Sequence, residues 1–274
     1  MNRLRFLPVL ALILALVLIL CACGGGGETP EGPGEPDTQT TEPDNAPDNT
    51  PDDAGEPAAL PQADSQGYAE EYTAEDGTVV LKCEYSLPMF PDAAPGSAGA
   101  AISDYYTKEL QGLKENSQEY LSWALEEYAN AGVSYPYSDT DSFRESLRDD
   151  IYISFVRTHD TYTGGPHPNQ LQSSETFRIS DGARVTCYEL FSADEGLWRP
   201  VVVQTIRDQM AERGWDNYYE EYTIEALDAI FQPEQFYLTE EGIVWYFQNY
   251  DLAPYAAGIQ EFTVPYGVLQ EMLS

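Results

Sequence analysis

The sequence predicts an α+β domain built around a mainly antiparallel sheet, with one long N-terminal helix and further helices packed on it. Three observations predict this class. Short segments of alternating apolar residues are separated by turns that contain glycine, which is typical of strands joined as hairpins. One apolar stripe of helical period runs from residue 97 to residue 131. Shorter helical segments are interspersed among the strands, which favours α+β over separate all-α and all-β parts.

The first elements are a hairpin and the long helix. Residues 78–85 alternate between apolar and polar side chains, and Asp76-Gly77 before them predicts a turn, so residues 68–73 are the expected partner strand. The helix of residues 97–131 is expected to stop at Gly132. Its predicted apolar stripe consists of Ile102, Tyr106, Leu110, Leu113, Ser117, Tyr120, Ala124 and Tyr128.

The rest of the domain alternates in the same way. Residues 243–247 are apolar on both faces, which predicts a central strand. Further strands are predicted at 151–157, 171–179, 185–190, 235–238 and 259–264, and further helices at 197–212 and 267–273.

The N-terminus has the pattern of a lipoprotein signal peptide. Arg3 and Arg5 precede an apolar run from Phe6 to Leu20, which is shorter than the roughly 20 residues a membrane-spanning helix needs. Leu20 and Ala22 stand where bacterial lipoprotein processing requires an aliphatic and a small residue, so we predict residues 1–22 as the signal peptide and Cys23 as the lipidated residue. Two acyl chains on Cys23 would give stable anchoring. The alternative is an uncleaved membrane anchor.

Residues 23–66 are predicted to be an acidic tether. From Gly24 to Asp64 the chain has no Lys, Arg or aromatic residue and is rich in Gly, Pro, Thr, Asp and Glu. Such a segment buries too little apolar surface to offset the entropy of ordering it. We therefore place the globular domain at residues 67–274, with an N-terminal half of residues 67–148 and a C-terminal half of residues 149–274. We expect it on the extracellular face of the cytoplasmic membrane.

The charge of the domain restricts its partners. The whole chain has a formal charge of −34, and residues 67–274 hold 36 acidic and 11 basic residues, a charge of −25. Nucleic acid is excluded, because phosphate binding requires clustered Lys and Arg. A cationic partner would be attracted by long-range steering. The alternative is that the acidity only keeps an exported protein soluble.

Two stretches are specific enough to indicate a family. Residues 162–169 read Tyr-Thr-Gly-Gly-Pro-His-Pro-Asn, and residues 250–258 read Tyr-Asp-Leu-Ala-Pro-Tyr-Ala-Ala-Gly between 236–247 and the Val-Pro-Tyr of 264–266. With residues 185–191, they resemble the RsiV-type extracellular domain. That domain is the outer part of a lysozyme-sensing anti-sigma factor and is also appended to PdaC-type peptidoglycan deacetylases. Pro166 and Cys187 depart from the family pattern, which more often has Ala and an aliphatic residue there.

The resemblance implies a binding function without the activities of those larger proteins. Only five residues precede the apolar run, so we expect no sigma-binding region, and the chain has no room for a separate deacetylase domain. What the resemblance implies is binding of lysozyme or a similar cationic protein. The candidate binding residues are Tyr162, Gly164, Gly165, His167, Asn169, Tyr250, Asp251 and Tyr255. For the loop of residues 249–258 the alternative is a structural plug, in which Tyr255 packs and Asp251 caps local amides.

Two other chemistries stay open. His159, Asp160 and His167 could serve an exported cell-wall hydrolase, although no familiar ligand spacing is present and metal catalysis would require them to converge. Cys83 and Cys187 could form a disulfide, which export permits, or be two buried thiols. We predict no catalytic site, cofactor or resident metal. The hypothesis is therefore a surface-anchored binding module for a cationic protein, with an envelope accessory protein that has no soluble ligand as a further alternative.

Overall fold

The computed structural model describes residues 60–132 and 135–274. The predicted signal peptide, Cys23 and the tether as far as residue 59 lie outside the described residues. In the part that is described, no helix is both long enough and apolar enough to span a membrane.

The larger of two sheets contains six strands in the order β1-β2-β3-β4-β5-β6. Neighbouring strands are antiparallel except for β2 and β3, which run parallel. A parallel pair needs a long crossover connection, and helix α1 provides it. The elements are β1 (Asp64–Thr73), β2 (Val79–Met89), α1 (Ala98–Ala131), β3 (Tyr137–Arg148), β4 (Tyr152–Tyr162), β5 (Asn169–Arg178) and β6 (Arg184–Val185).

Helix α1 begins and ends where the sequence predicts. The Ser97 side chain caps the first turn by accepting a hydrogen bond from the Ala100 N–H, and Gly132 ends the helix with a φ of 72°. The predicted stripe faces the sheet, with Tyr120 and Tyr128 half-buried and the other six residues buried. On the sheet, Leu81, Tyr85 and Phe155 pack in the same hydrophobic cluster.

The second sheet has three antiparallel strands with β8 in the centre. All six residues of β8 are buried, as predicted for a strand covered on both faces. Trp198, Ile206 and Met210 of α2 pack in one hydrophobic cluster with residues of this sheet. The elements are α2 (Glu195–Arg213), α3 (Ile224–Ile230), β7 (Phe236–Leu238), β8 (Gly242–Phe247), β9 (Gln260–Pro265) and α4 (Tyr266–Leu269).

The two sheets pack against each other through β4, β5, β7 and β8. Val156 is buried in one cluster with Tyr237, Val244 and Tyr246. The Leu238 N–H donates to Ser154 Oγ over 3.1 Å, so polar groups at this contact are also paired. Hydrogen bonds from Gln248 and Asn249 to the Gln172 and Gln170 carbonyls join the end of β8 to the start of β5. This places the two sequence stretches that carried the family resemblance side by side.

The α+β class is confirmed, and several elements differ from the predictions. Strand β3 was missed, because its segment is rich in Ser, Asp and Arg. Of the strand predicted at 185–190, only Val185 lies in a strand, the two-residue β6, after which Thr186 caps a 3₁₀ turn at 187–190. Helix α3 was also missed.

The folded part of the chain begins before Gly67. Strand β1 starts at Asp64, Leu60 packs against the core under α1, and Arg148 donates to the Leu60 carbonyl. The division at 148/149 falls in the hairpin between β3 and β4, whose strands pair along most of their length. The two predicted halves therefore share one sheet.

The two cysteines do not form a disulfide. Both are buried and free. Cys83 packs in the cluster under α1, whereas Cys187 packs in the cluster around the second sheet. Burial raises the pKa of both thiols, so neither is poised as a nucleophile.

Candidate recognition surface

An aromatic cluster forms where the β4–β5 loop meets the loop after β8. The rings of His167 and Tyr255 stack with centroids 3.8 Å apart and planes 17° apart. The Tyr250 hydroxyl lies 3.2 Å from His167 Nε2. Because His167 Nδ1 lies 2.8 Å from the Pro168 carbonyl and must donate to it, Nε2 of the neutral ring accepts from Tyr250. The fold thus brings His167 together with Tyr250 and Tyr255, two further predicted binding residues that lie more than 80 positions later in the sequence.

Tyr250 has an unusual backbone conformation. Its φ is 72°, and it is the one non-glycine residue with positive φ among those the structure describes. A bulky L-residue in this region is strained. Its side chain nevertheless stays 54% exposed. Such strain at an exposed aromatic residue on a loop is a pattern that functional surfaces often show.

Asp251 has the structural role of the predicted alternative. Its Oδ2 accepts the Gln248 N–H over 2.8 Å, while its own N–H donates to the Gln248 carbonyl over 3.1 Å. These bonds close a tight turn directly after β8. The turn holds Tyr250 towards His167, so Asp251 supports the surface by shaping the loop.

The glycines of the β4–β5 loop bring it against the end of α1. Gly164 has a φ of 89°, and a Cβ built there would lie 3.5 Å from Glu127 Oε2. Glu127 also accepts a hydrogen bond from the Tyr137 hydroxyl. Gly165 does not have positive φ. Tyr162 is the last residue of β4, so it flanks the loop at its base.

Asn169 flanks the loop on the other side, as the first residue of β5. Together the end of α1, the β4–β5 loop and residues 249–258 form what we call the loop surface. Its centre is the cluster of His167, Tyr250 and Tyr255.

The loop surface is built from segments without cations. No Lys or Arg occurs in residues 115–143, 158–177 or 214–274, which supply the end of α1, the β4–β5 loop and the loop after β8. Carboxylates are present, with Glu126 and Glu127 exposed on α1. The surface therefore combines exposed aromatic rings with negative charge.

The second histidine has a different environment. His159 Nε2 donates to Asp139 Oδ1 over 2.6 Å, and the Tyr85 hydroxyl donates to Asp139 Oδ2 over 2.5 Å. Asp139 is fully buried, so these two donors satisfy a carboxylate that would otherwise be costly to bury. Burial and this hydrogen bond raise the pKa of the Tyr85 hydroxyl well above its usual value, so it stays a donor.

The proposed hydrolase residues do not share a site. His159 bonds Asp139 on the sheet face towards α1, whereas neighbouring Asp160 points to the other face, as strand geometry requires, and accepts from Gln170. His167 stacks on Tyr255 in the loop surface. In the residues that the structure describes, no group of three His, Cys, Asp or Glu side chains is arranged to hold a metal ion.

A buried ionic network lies next to His159. Arg157 donates from Nε to Asp141 Oδ1 over 3.1 Å and from Nη2 to Asp141 Oδ2 over 2.9 Å. Burial raises the pKa of the Asp141 carboxyl despite this guanidinium, and burial likewise raises the pKa of the nearby Glu175 carboxyl. The pKa of Arg157 is raised, because its hydrogen bonds to Asp141 outweigh the opposing effect of burial.

Sequence reasoning missed this network because it missed β3. Tyr137, Asp139 and Asp141 alternate with half-buried or exposed residues and turn the same sheet face towards α1. The period of two was therefore present in the sequence. Aspartate at the inward positions concealed it, since a pattern search looks for apolar residues there.

Two family models match the chain. The family described as Protein of unknown function (DUF3298) matches residues 188–267, and the family described as Deacetylase PdaC matches residues 74–170. The first match includes the loop after β8, and the second includes α1 and the whole β4–β5 loop. No curated protein matches the chain.

Solved structures of the DUF3298 family share the fold. A member from Bacteroides fragilis NCTC 9343 is 19% identical, has a TM-score of 0.60, and is matched over 80% of this chain and 96% of that chain. A member from Pseudomonas aeruginosa PAO1 is 12% identical, has a TM-score of 0.51, and is matched over 78% of this chain and 96% of that chain. At these identities the likeness supports the architecture and carries no information on a ligand.

Proposed function

We propose that this chain is a surface-anchored lipoprotein whose domain captures a cationic protein, with lysozyme as the leading candidate. The observation that carries the proposal is the loop surface, where the exposed rings of His167 and Tyr250 and the half-buried ring of Tyr255 form an aromatic cluster on segments without Lys or Arg. Aromatic side chains supply large contact area at a low cost in conformational entropy. They are also enriched among the residues that contribute most to binding.

The charge of the domain supports the choice of a cationic partner. Opposite potentials accelerate encounter and disfavour anionic competitors. Common animal lysozymes are strongly basic, and the resemblance to the RsiV-type extracellular domain points to the same partner. Capture would make the protein a sensor, a decoy or an inhibitor.

The rival hydrolase has less support. It needs His159, Asp160 and His167 to converge, and these side chains engage Asp139, Gln170 and Tyr255 instead. Residues 74–170 match the family described as Deacetylase PdaC. In the described residues, however, no group of three His, Cys, Asp or Glu side chains is arranged to hold a metal ion.

Titration of the mature protein in detergent with lysozyme tests the proposal. Heat of binding at low salt that weakens at moderate salt is the expected result, because exposed charges are screened. Cytochrome c, another small basic protein, is the matched control for charge alone. Absence of lysozyme binding at low salt would rule out this partner, and an envelope accessory role without a soluble ligand would then be favoured.

The lipid anchor requires its own test. Cells expressing the chain are labelled with a clickable fatty acid, and the label is expected on the mature protein. Cys23→Ser should abolish labelling, whereas Cys21→Ser is the matched control and should retain it. Equal labelling of both variants would contradict lipidation at Cys23.

A further inference from the structure

A polar cavity lies between α1 and the inner face of β3, β4 and β5. Its volume is about 320 Å³. Glu109 and Leu113 of α1 form one wall, and Leu171 and Glu175 of β5 form another. Gln248, which precedes the turn of the loop surface, also lines it. No function discussed above uses this cavity.

The cavity contains more negative than positive charge. Arg157 is its one Lys or Arg residue, and it faces three carboxylates. Its Nη1 donates to Glu109 Oε2 over 3.0 Å, and its other nitrogens bond Asp141. Glu175 Oε1 forms an ion pair with Arg157 Nη1 at 3.7 Å, a distance too long for a hydrogen bond.

Glu175 is the group that points to a ligand. Its side chain is only 5% exposed. Oε2 accepts from the Tyr106 hydroxyl over 3.1 Å, but Oε1 accepts no hydrogen bond from any residue in the described ranges. This oxygen keeps some solvent exposure, and a hydrogen-bond donor would stabilise it further. Because Glu175 lines the cavity, a donor that enters the cavity can reach it.

We propose that this cavity binds a primary alkylammonium group. The ammonium is a compact cation with three donors, so it can serve Glu175 Oε1 and Glu109 together. Leu113 and Leu171 provide apolar contact for the alkyl stem. The group occurs both on the lysine side chain of a protein and on a free amine. The proposal does not depend on the identity of the cationic protein partner.

The test is a titration of the isotope-labelled mature protein with n-butylammonium, followed by amide and side-chain NMR shifts. We expect saturable shifts at Leu113, Leu171 and Glu175 with a dissociation constant of about 1 mM, a scale suited to so small a ligand. The neutral isostere n-butanol should give no saturable shift. Equal responses to both compounds, or no saturation by butylammonium, would overturn the proposal.

Variants identify the carboxylates involved. Glu175→Gln keeps the shape and removes the charge, and we expect affinity to fall about tenfold or more. Glu109→Gln is the second variant. The Glu109 side chain is 41% exposed, so this substitution should disturb folding less and can test the site if Glu175→Gln folds poorly. Glu115→Gln, on the exposed face of the same helix, is the matched control. Unchanged affinity in both cavity variants would overturn the proposal.

Competition distinguishes the two sources of the group. If a lysine of a bound protein occupies the cavity, butylammonium will weaken lysozyme capture by the wild type but not by Glu175→Gln. If a free amine is the ligand, butylammonium will bind without affecting lysozyme. A protein that binds butylammonium but not lysozyme would keep this inference and remove the proposed partner.

Discussion

The imidazole of His167 lies on the ring of Tyr255 at a centroid distance of 3.8 Å, and this contact joins the β4–β5 loop to the loop after β8. The two loops are far apart in sequence, and each matches a different family model. Their junction is the centre of the proposed binding surface.

Removing either ring of this stack should weaken partner binding. We expect His167→Ala and Tyr255→Ala each to reduce lysozyme affinity about tenfold, since aromatic residues at interface centres often contribute more than 1 kcal/mol. Tyr188→Ala is the matched control, because Tyr188 is 48% exposed and lies outside the loop surface. Calorimetric titration provides the measurement. A control variant that loses as much affinity as the loop variants would contradict the assignment.

We predict that Tyr250 contributes to binding but lowers the stability of the folded protein. Its φ of 72° is unfavourable for tyrosine and acceptable for glycine, so we expect Tyr250→Gly to leave the free energy of unfolding unchanged or to raise it by about 1 kcal/mol. Lysozyme binding should weaken. Tyr219→Gly, at an equally exposed tyrosine without positive φ, should be destabilising. Denaturant unfolding compares the two, and a strong destabilisation confined to Tyr250→Gly would refute the strain argument.

Glu175 should make stability depend on pH. Burial raises the pKa of its carboxyl above the ordinary value of 4.5 in the folded state. The folded state therefore binds this proton more tightly, and the resulting stability is present below pH 4.5 and is lost as the pH rises through the folded-state pKa. Relative to wild type, Glu175→Gln should gain stability between acidic and neutral pH. Guanidinium unfolding at both pH values measures this difference.

The exposed Glu115→Gln variant controls for the general effect of losing one negative charge. It should show little change with pH relative to wild type. If Glu175→Gln instead lost stability on going to neutral pH, the ionised carboxylate would be stabilising there, and the raised pKa would be wrong.

Gly242 should be irreplaceable at the start of β8. A Cβ at this position would overlap the Val264 carbonyl of β9, and backbone atoms in a paired strand cannot move away cheaply. We expect Gly242→Ala to cost several kcal/mol, in the range of overpacked cores. Gly267→Ala meets nothing within 4 Å and should be nearly neutral. Thermal unfolding of both variants tests this, and similar melting temperatures would contradict the β8–β9 register.

The elements with regular apolar periods were predictable from the sequence. Helix α1 was found because its stripe is continuous and because Gly132 ends it, and β8 was found because it is apolar on both faces. Strand β3 was not found, since Asp139 and Asp141 occupy its inward positions. Their burial becomes favourable only through His159, Tyr85 and Arg157, which are distant in sequence.

The candidate surface was predictable in composition but not in arrangement. His167 and Tyr255 were singled out by the family resemblance, but their stacking depends on how β5 and β8 pack. For Asp251 the sequence left open a binding role and a role in capping local amides. Its hydrogen bond from the Gln248 N–H supports the capping role. The cavity with Glu175 could not be predicted, because five separate elements or loops form it.

Hydrogen exchange of the mature protein, with and without lysozyme, tests the central proposal most directly. The account predicts slower amide exchange on binding in residues 162–169 and 249–258, and little change along exposed β1 at the opposite edge of the large sheet. Protection that spares both loops while lysozyme is bound, or protection centred on β1, would contradict a recognition surface built on His167, Tyr250 and Tyr255.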